Sequence, residues 1–278
     1  MNILGIICSP RSPGNCELIV KEISRQLPVP HELKLTRLPK LNIQPCQGCY
    51  RCLFKEQRCW IKDDLSLVLD DISRADALIV AVPTYFLGPN ACLKLLLDRG
   101  LSFYGRAESL WGKPAIGIGI AGIDGKEGYT LLGIQNFLKM IQSDIRAVQM
   151  IYGALPGETL QIERNTPVIR RLAEALMNPE PKSTGPGCPL CGGDAFRFLE
   201  GGTVQCLLCS NSGTMTLENE TPAFHIQPGD HDLFLDRQAA LKHRDWLVGM
   251  KGRYLEKKSE LKEIFARYAN DPEKADGG

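Results

Sequence analysis

Five short apolar runs recur along the first 178 residues, and helical spacing of apolar positions follows each, directly or after a loop. The runs cover residues 3–8, 32–38, 77–82, 114–122 and 145–152. Most are apolar on both faces, which is typical of strands inside a parallel sheet. The alternation of strand and helix predicts an α/β fold: a doubly wound five-stranded parallel sheet with strand order 2-1-3-4-5.

Two of the helical segments have a recognisable start. Asp63 or Asp64 can cap a helix whose apolar positions continue to Ile72. Pro89 suits the first turn of a helix that continues through Leu97, because proline has no amide proton to leave unpaired there. We predict two further helices, over residues 127–142 and 167–177.

The character of the chain changes after residue 178. Residues 179–187 are rich in proline and glycine, lack apolar periodicity and are predicted to form a linker. Residues 188–225 hold few large apolar side chains and the second of two cysteine groups, which predicts a small metal module. Residues 226–278 are charged and predicted to form a helical extension, so residues 1–178 stand as a separate first domain.

Composition shows no charge bias toward a particular partner. Of the 278 residues, 44% are hydrophobic, and the formal net charge is +1. This balance gives no electrostatic support for binding nucleic acid or an anionic membrane surface. Met1 leads directly into an apolar run without the basic segment of a signal peptide, and no apolar stretch has the length of a membrane span. We therefore expect a cytoplasmic protein with no nucleic-acid and no membrane partner.

Eight of the eleven cysteines fall into two compact groups. The first cysteine group has the pattern C-x2-C-x2-C-x6-C and consists of Cys46, Cys49, Cys52 and Cys59. Its two short steps suit the thiolate ligands of a 4Fe–4S cluster. Zinc or free thiols are the alternatives for this group.

The second cysteine group has the pattern C-x2-C-x14-C-x2-C and consists of Cys188, Cys191, Cys206 and Cys209. Two such knuckles joined by a short strand-forming segment are typical of a zinc ribbon. The same ligands hold a single iron in rubredoxin-like modules, but the second knuckle, CLLCSNSG, lacks the C-P-x-C-G form of those modules. Zinc is therefore the favoured metal, with a structural role, and an iron centre that feeds electrons to the first domain is the alternative.

The loop after the first strand has the composition of a phosphate site. Ser9, Ser12 and Asn15 offer polar side chains beside a helix N-terminus, and Arg11 can pair with an anion. Neither G-x-G-x-x-G nor G-K-[ST] is present, which argues against a dinucleotide fold and against ATP hydrolysis. Ligands of such sheets bind beyond the carboxyl ends of the strands, so loops 9–16, 83–88 and 121–128 are expected to form the site.

Three segments carry a family resemblance. PTYFLGPNACLKLLLDRG (83–100) resembles the second flavin loop of the NADPH-dependent FMN reductase family, and CSPRSPGN (8–15) resembles its phosphate loop. AGIDGKEG (121–128) stands where the third flavin-contacting loop belongs. With the first cysteine group added, residues 1–178 resemble an iron–sulfur flavoprotein of the flavodoxin-like superfamily.

The resemblance implies two cofactors, FMN and a 4Fe–4S cluster, and a homodimer or higher homo-oligomer. The implied cluster ligands are Cys46, Cys49, Cys52 and Cys59. The implied neighbours of the FMN phosphate are Ser9, Arg11, Asn15 and Cys16. The implied neighbours of the isoalloxazine ring are Pro83, Thr84, Tyr85, Phe86 and Gly88, with Ala121 and Gly122 on its other side. One departure stands out: the family usually has Ser or Thr where this chain has Cys16, and a thiol donates a weaker hydrogen bond to phosphate.

The first hypothesis is an FMN-dependent oxidoreductase or electron-transfer flavoprotein that passes electrons between a 4Fe–4S cluster and FMN, with NAD(P)H or ferredoxin as electron partner. No acid–base residue is assigned, because the isoalloxazine itself performs the redox chemistry. One alternative is a cluster-free NAD(P)H-dependent FMN or quinone reductase. Another is a non-catalytic module that senses redox state and binds a partner.

Overall fold

The computed structural model describes residues 1–54, 58–179 and 185–269. The strands of the first domain are β1 (Asn2–Ile7), β2 (Glu32–Arg37), β3 (Ala77–Tyr85), β4 (Gly88–Pro89), β5 (Pro114–Ala121) and β6 (Asp144–Tyr152). Its helices are α1 (Asn15–Arg25), α2 (Leu65–Arg74), α3 (Ala91–Asp98), α4 (Ala107–Leu110), α5 (Thr130–Met140), α6 (Glu158–Gln161) and α7 (Asn165–Met177). Short 3-10 helices cover Leu38–Lys40, Arg51–Leu53 and Gly100–Arg106.

The parallel strands form one sheet in the order β2-β1-β3-β5-β6. Counted without β4, this is the predicted order 2-1-3-4-5, so the predicted doubly wound flavodoxin-like sheet is confirmed. The one addition is β4, a two-residue strand that pairs antiparallel with the end of β3. It turns the loop after β3 into a hairpin, which the sequence pattern did not predict.

Apolar side chains fill both faces of the sheet. One layer packs the strand residues Leu4 and Ile6 against side chains of α2, α3 and α5, among them Phe137. The other packs the strand residue Ile3 against side chains of α1 and α7, among them Ile19. Burial on both faces explains why the strands appear as continuous apolar runs.

Helix α3 begins later than predicted. Pro89 lies in β4 and not in the first turn of the helix. Asn90 is the N-cap instead, and its side-chain oxygen accepts a hydrogen bond from the Cys92 amide at 2.9 Å. The N-cap bond satisfies an amide that the helix leaves free, which is the role that short polar side chains fill at helix starts.

The second part of the chain holds an antiparallel sheet of four strands, in the order β10-β9-β8-β7. These strands are β7 (Phe196–Phe198), β8 (Thr203–Cys206), β9 (Ser212–Glu218) and β10 (Thr221–Ile226). Two consecutive helices follow in the predicted helical extension, α8 (Arg237–Glu256) and α9 (Lys258–Tyr268). Residues 180–184 of the predicted linker and 270–278 of the predicted extension lie outside the described residues.

This second part packs against the first domain. The Gln142 side chain donates to the Phe234 carbonyl at 3.3 Å, and the Arg237 guanidinium lies over the Trp111 ring at 5.7 Å. A cavity of about 480 Å³ lies between them, lined by residues such as Tyr104 and Leu208. Within the parts of the chain that the structure describes, no helix combines the length and the apolar character needed to cross a membrane.

Candidate functional site

The predicted ligand loops meet at the carboxyl edge of the parallel sheet. The Asn15 side chain, at the start of α1, donates to the carbonyls of Gly153 and Leu155 at 3.1 and 3.0 Å. The Tyr129 amide, after β5, donates to the Leu87 carbonyl at 2.8 Å. The structure therefore brings the loops after β1, β3, β5 and β6 together, as the topology of such sheets requires.

The loop after β1 presents a helix N-terminus and a positive surrounding. Helix α1 has Gly14 at its N-cap, and no side chain caps its first amides. Ser9 is buried and its hydroxyl accepts from the Arg11 amide at 3.3 Å, whereas the Arg11 and Ser12 side chains are exposed. Anions are stabilised at such helix starts.

A buried carboxylate beside this loop is neutralised by two cations. Glu17 in the first turn of α1 pairs with Lys21 at 2.6 Å and with Arg37 at 2.8 Å. The hydrogen bonds with Lys21 and then Arg37 outweigh the effect of burial and lower the pKa of Glu17. These two cations thus balance the negative charge of Glu17, which therefore does not cancel the partial positive charge at the start of α1.

Asn15 and Cys16 were predicted to lie beside the FMN phosphate, and the structure gives both of them partners or burial within the protein. The Asn15 side chain is fully used within the protein: its amide group donates to Gly153 and Leu155, and its oxygen accepts from the Gly157 amide at 2.8 Å. The Cys16 thiol is buried, and burial, with the neighbouring Cys92, raises its pKa to about 12. The roles of both at a phosphate stay predictions.

The hairpin after β3 exposes aromatic rings at the edge. Phe86 and Leu87 form its turn with φ of 48° and 63°. Phe86 is fully exposed and Tyr85 is half-exposed. Thr84, just before the turn, exchanges a hydrogen bond of 2.9 Å with the Thr130 hydroxyl. Pro83 precedes it in β3, and its carbonyl accepts from the Asn90 amide at 3.1 Å.

Close packing joins this hairpin to the loop after β5. A Cβ on Gly88 would overlap the Tyr129 ring, and a Cβ on Gly128 would overlap the Leu87 carbonyl. Ala121 is buried at the end of β5, whereas Gly122 is exposed, and its missing Cβ would lie 3.2 Å from the Ala154 Cβ. The glycines therefore allow the two loops to approach closely and leave backbone accessible at their junction.

The first cysteine group lies in the long loop between β2 and α2. Cys46 and Cys49 are exposed, and Cys52 and Cys59 are partly buried. Burial and then the neighbouring Cys59 raise the pKa of Cys52 to about 11. The thiols are thus close enough to oppose ionisation of one another, and a cationic centre among them would reverse that effect.

The thiols of the first group accept different donors. The Trp60 indole donates to the Cys49 sulfur at 3.3 Å, and the Gly48 amide donates to the Cys46 sulfur at 3.5 Å. The Arg51 guanidinium lies 5.0 Å from the centre of the Trp60 ring. These donors orient the sulfurs, and hydrogen bonds to sulfur are among the features that set a cluster's potential.

A buried ion pair next to this group was missed by the sequence analysis. The Arg99 guanidinium donates to the Asp63 carboxylate at 2.5 Å and to the Cys59 sulfur at 3.1 Å. Both charged side chains are 1% exposed. The sequence signal was an arginine among the large apolar residues of LLLDRGLSF, since an arginine that is buried needs a charged partner.

The second cysteine group forms a compact four-sulfur site. Its four sulfur atoms all lie within 4.8 Å of one another, and among the described residues it is the one group of metal-binding side chains gathered so closely. The sulfurs of Cys188 and Cys209 are 3.7 Å apart, and those of Cys191 and Cys206 are 3.5 Å apart. A single metal ion requires four sulfur atoms this close to one another. In a cubane cluster each thiolate binds a different iron, so the sulfur atoms of the ligands lie farther apart.

Local backbone geometry shapes the knuckles of the second group. The Cys188 amide donates to the Gly193 carbonyl at 2.8 Å, and the Gly193 amide donates to the Cys191 sulfur at 3.4 Å. A Cβ on Gly193 would lie 3.1 Å from the Cys206 sulfur, so a larger residue would crowd the site. Four thiolates without a fifth protein ligand match a closed tetrahedral metal site.

Comparisons with known proteins agree with this arrangement. The sequence model of a family described as NADPH-dependent FMN reductase matches residues 1–141. An iron–sulfur flavoprotein of Methanocaldococcus jannaschii is 34% identical over 142 residues, which cover 49% of this chain and 71% of that protein. An iron–sulfur flavoprotein of Methanosarcina thermophila is 28% identical over 142 residues, which cover 50% of this chain and 73% of that protein.

Other matches are shorter in sequence or more distant. An iron–sulfur flavoprotein of Archaeoglobus fulgidus is 33% identical over 102 residues, which cover 36% of this chain and 48% of that protein. A solved structure described as a flavone reductase superposes with a TM-score of 0.75 at 18% identity and covers 100% of both chains. At that identity the superposition concerns the fold alone, and it extends over both parts of the chain.

Proposed function

Because this chain belongs to the NADPH-dependent FMN reductase family and is an FMN-dependent electron-transfer flavoprotein, we propose that its first cysteine group binds a 4Fe–4S cluster that exchanges electrons with the flavin. FMN supplies two-electron chemistry with hydride donors, and a 4Fe–4S cluster carries one electron at a time. The protein is an oxidoreductase, and NAD(P)H or ferredoxin is the electron partner that we propose for it.

One observation carries the proposal: a single helix joins the two predicted redox sites. Helix α3, of eight residues, begins after the hairpin of the flavin loop. The residue that follows it, Arg99, contacts the Cys59 sulfur at the other end. Eight helical residues span about 12 Å. The chain thus provides a short, rigid connection between the place proposed for FMN and the place proposed for the cluster.

The residues at the carboxyl edge fit an FMN molecule. The start of α1, with Arg11 exposed beside it, is proposed to bind the phosphate. The exposed Tyr85 ring and the backbone around Gly88 and Gly122 are proposed to lie along the isoalloxazine. Their part is to orient the flavin and to exclude water from its face.

The second cysteine group is a four-cysteine metal site, and we propose that its metal is zinc. Four thiolates close the coordination sphere and leave no position for a substrate, and the second knuckle lacks the C-P-x-C-G form of single-iron modules, which favours zinc. Few side chains form the apolar core of this module: Val204 and Ile226 are buried, and the rings of Phe196 and Phe224 stack at 3.7 Å. Bound metal therefore supplies much of the folding free energy of the module.

We propose a homodimer in the cytoplasm. The carboxyl edge exposes a group of large apolar side chains, Tyr85, Phe86, Leu87, Ile123 and Tyr129. Contiguous exposed apolar surface of this kind marks a place where a ligand or a second protein surface binds. The flavin covers part of this patch, and a second copy of the chain covers the remainder.

The test begins with anaerobic purification and quantification of FMN, iron, sulfide and zinc per chain. The proposal expects one FMN, about four irons and four sulfides, and one zinc. Cys52→Ser should lose the iron and sulfide and keep the zinc. The matched control is Cys92→Ser, a partly buried cysteine outside both groups, which should keep all three.

The outcomes separate the alternatives. FMN without iron, together with turnover of NAD(P)H, would indicate a cluster-free FMN or quinone reductase. Absence of FMN from protein purified with the cofactor supplied would contradict the proposal as a whole. Iron that persists in Cys52→Ser but is lost in Cys191→Ser would show that the second cysteine group binds the iron.

A further inference from the structure

Arg99 connects the two ends of the loop that holds the first cysteine group. Its Nη1 atom donates to the Gln44 carbonyl at 2.6 Å, just before the first cysteine of the group. Its Nη2 atom donates to the sulfur of Cys59, the last cysteine of the group, at 3.1 Å. One guanidinium thus fixes the distance between the entry and the exit of the loop.

Asp63 completes this connection. It accepts hydrogen bonds from Arg99 at 2.5 Å, from the Gln44 amide at 2.9 Å and from the Leu65 amide at 3.2 Å. Burial opposes the charge of Asp63, but these hydrogen bonds, led by that of Arg99, hold its pKa below the ordinary value. Both partners of the pair are therefore charged in a site that excludes water, where each charge needs its hydrogen bonds.

The guanidinium serves the carboxylate and the sulfur together. Its Nη1 atom is 2.5 Å from one Asp63 oxygen, and its Nη2 atom is 3.4 Å from the other. The same Nη2 atom is 3.1 Å from the Cys59 sulfur. Sulfur is the larger atom, so of the two contacts of Nη2 the one to sulfur is the closer, and the sulfur contact adds to the two-pronged ion pair.

We propose that Arg99 is a positioning residue for the cluster, and that its hydrogen bond to the Cys59 thiolate raises the cluster's reduction potential. This inference rests on the proposed function, since it requires a cluster in the first cysteine group. Reduction adds one negative charge to the cluster and its thiolates, and the N–H donor that Arg99 directs at the Cys59 sulfur stabilises that charge. The Asp63 carboxylate balances the charge of the guanidinium, so the hydrogen bond to sulfur is the source of the effect. Cys49 differs, because its donor is the neutral indole of Trp60.

The test compares two double variants in the complete, cofactor-loaded protein. Arg99→Met with Asp63→Leu removes the buried pair without leaving one charge uncompensated. Arg106→Met with Asp70→Leu removes the same two charge types from an ion pair about one-third exposed. The readout is the cluster midpoint potential from an anaerobic titration followed by electron paramagnetic resonance, with the flavin potential of the same sample as an internal reference.

The first double variant should lower the cluster potential by at least about 59 mV, which is a tenfold change for a one-electron couple. The flavin potential and the Arg106 control should stay near those of the unchanged protein. A variant that holds the full content of iron and sulfide at an unchanged potential overturns the inference and leaves the proposed function intact. Absence of iron and sulfide from the unchanged protein overturns both.

Arg99→Lys decides the matter if the double variant fails to fold or to bind iron. Lysine keeps the positive charge but lacks the planar fork that reaches Gln44, Asp63 and Cys59 together. A potential that falls part of the way, with faster loss of iron to a chelator, supports the positioning role. An unchanged potential and an unchanged rate of iron loss overturn it.

Discussion

Gly128 and Gly125 offer a matched test of how the two flavin loops are held together. Both have positive φ, 53° and 70°, and both stand in the loop after β5. A Cβ on Gly125 would meet open space, whereas a Cβ on Gly128 would lie 2.5 Å from the Leu87 Cβ and closer still to the Leu87 carbonyl. Replacing either glycine with alanine therefore adds the same backbone strain, but only the replacement at Gly128 also creates a steric overlap.

The magnitudes follow from these contacts. The left-handed conformation costs alanine about 1–2 kcal/mol at either position. At Gly128 the overlap also separates the loops and weakens the 2.8 Å hydrogen bond from the Tyr129 amide to the Leu87 carbonyl. Overpacking and the lost hydrogen bond together add about 2 kcal/mol. Because we propose that FMN binds where the two loops meet, the free energy needed to bring them together is subtracted from that of FMN binding. A cost of about 2 kcal/mol corresponds to about 30-fold in Kd.

The assay is quenching of flavin fluorescence during titration of FMN into apoprotein, for the unchanged protein and both variants. We expect Gly128→Ala to bind FMN at least tenfold more weakly than Gly125→Ala, with the metal of the second cysteine group retained in each. Equal affinities of the two variants would refute the reasoning, because the strain they share would then be the whole effect. A stronger loss in Gly125→Ala would show that the loop after β5 contacts the flavin through its other end.

Three further predictions concern the ribbon, the loop after β6 and acid stability. Cys191→Ser should release the zinc and abolish hydrogen-exchange protection in strands β7–β10, because metal binding of about 10–16 kcal/mol supplies the folding free energy of such modules. Asn15→Ala should raise exchange in the 153–157 loop and destabilise the protein by about 2–3 kcal/mol, since its amide holds three backbone groups there. Arg37→Met should destabilise the protein at pH 7 but less at pH 3. The fold lowers the pKa of Glu17, so the ion pair of Arg37 with Glu17 stabilises the protein above the ordinary pKa of 4.5. This stabilisation is lost as the pH falls through the folded-state pKa of Glu17. Urea unfolding at both pH values measures that difference, and an equal effect at pH 7 and pH 3 would contradict it.

The sheet could be predicted because each strand is long enough to carry a hydrophobic pattern. The runs at 77–82 and 114–122 are apolar on both faces, and the structure buries both within the sheet. Strand β4 could not be predicted in this way, because the two residues Gly88 and Pro89 carry no period. Its pairing depends on the turn at Phe86 and Leu87, which takes a left-handed conformation that these residue types rarely adopt.

The β9–β10 hairpin, the last of the four-stranded sheet, was also missed, although the sequence held a signal for it. The segment TMTLENETPAFHI places two residues, Asn219 and Glu220, between runs with strand character. Both adopt positive φ, 50° and 64°, as the two central residues of a tight hairpin turn do. The cysteine spacing predicts the metal site, but it carries no information about this extension of the sheet.

The metal ligands of the second cysteine group could be predicted from the sequence because the two cysteines of each pair lie close together in the chain, with a recognisable spacing. The partners of the first group were not, because Asp63 and Arg99 are separated by helix α2, the β3–β4 hairpin and helix α3. An arginine placed after α3 reaches the cysteine loop only once the β3–α3 unit has packed on the sheet. The contact therefore depends on the fold as a whole, and it makes one prediction about coupling. A shift of α3 on FMN binding near its first turn would move Arg99, which directly follows the helix, relative to the Cys59 sulfur. The potential of the proposed cluster should therefore differ between FMN-free and FMN-bound protein, and Arg99→Lys should reduce that difference.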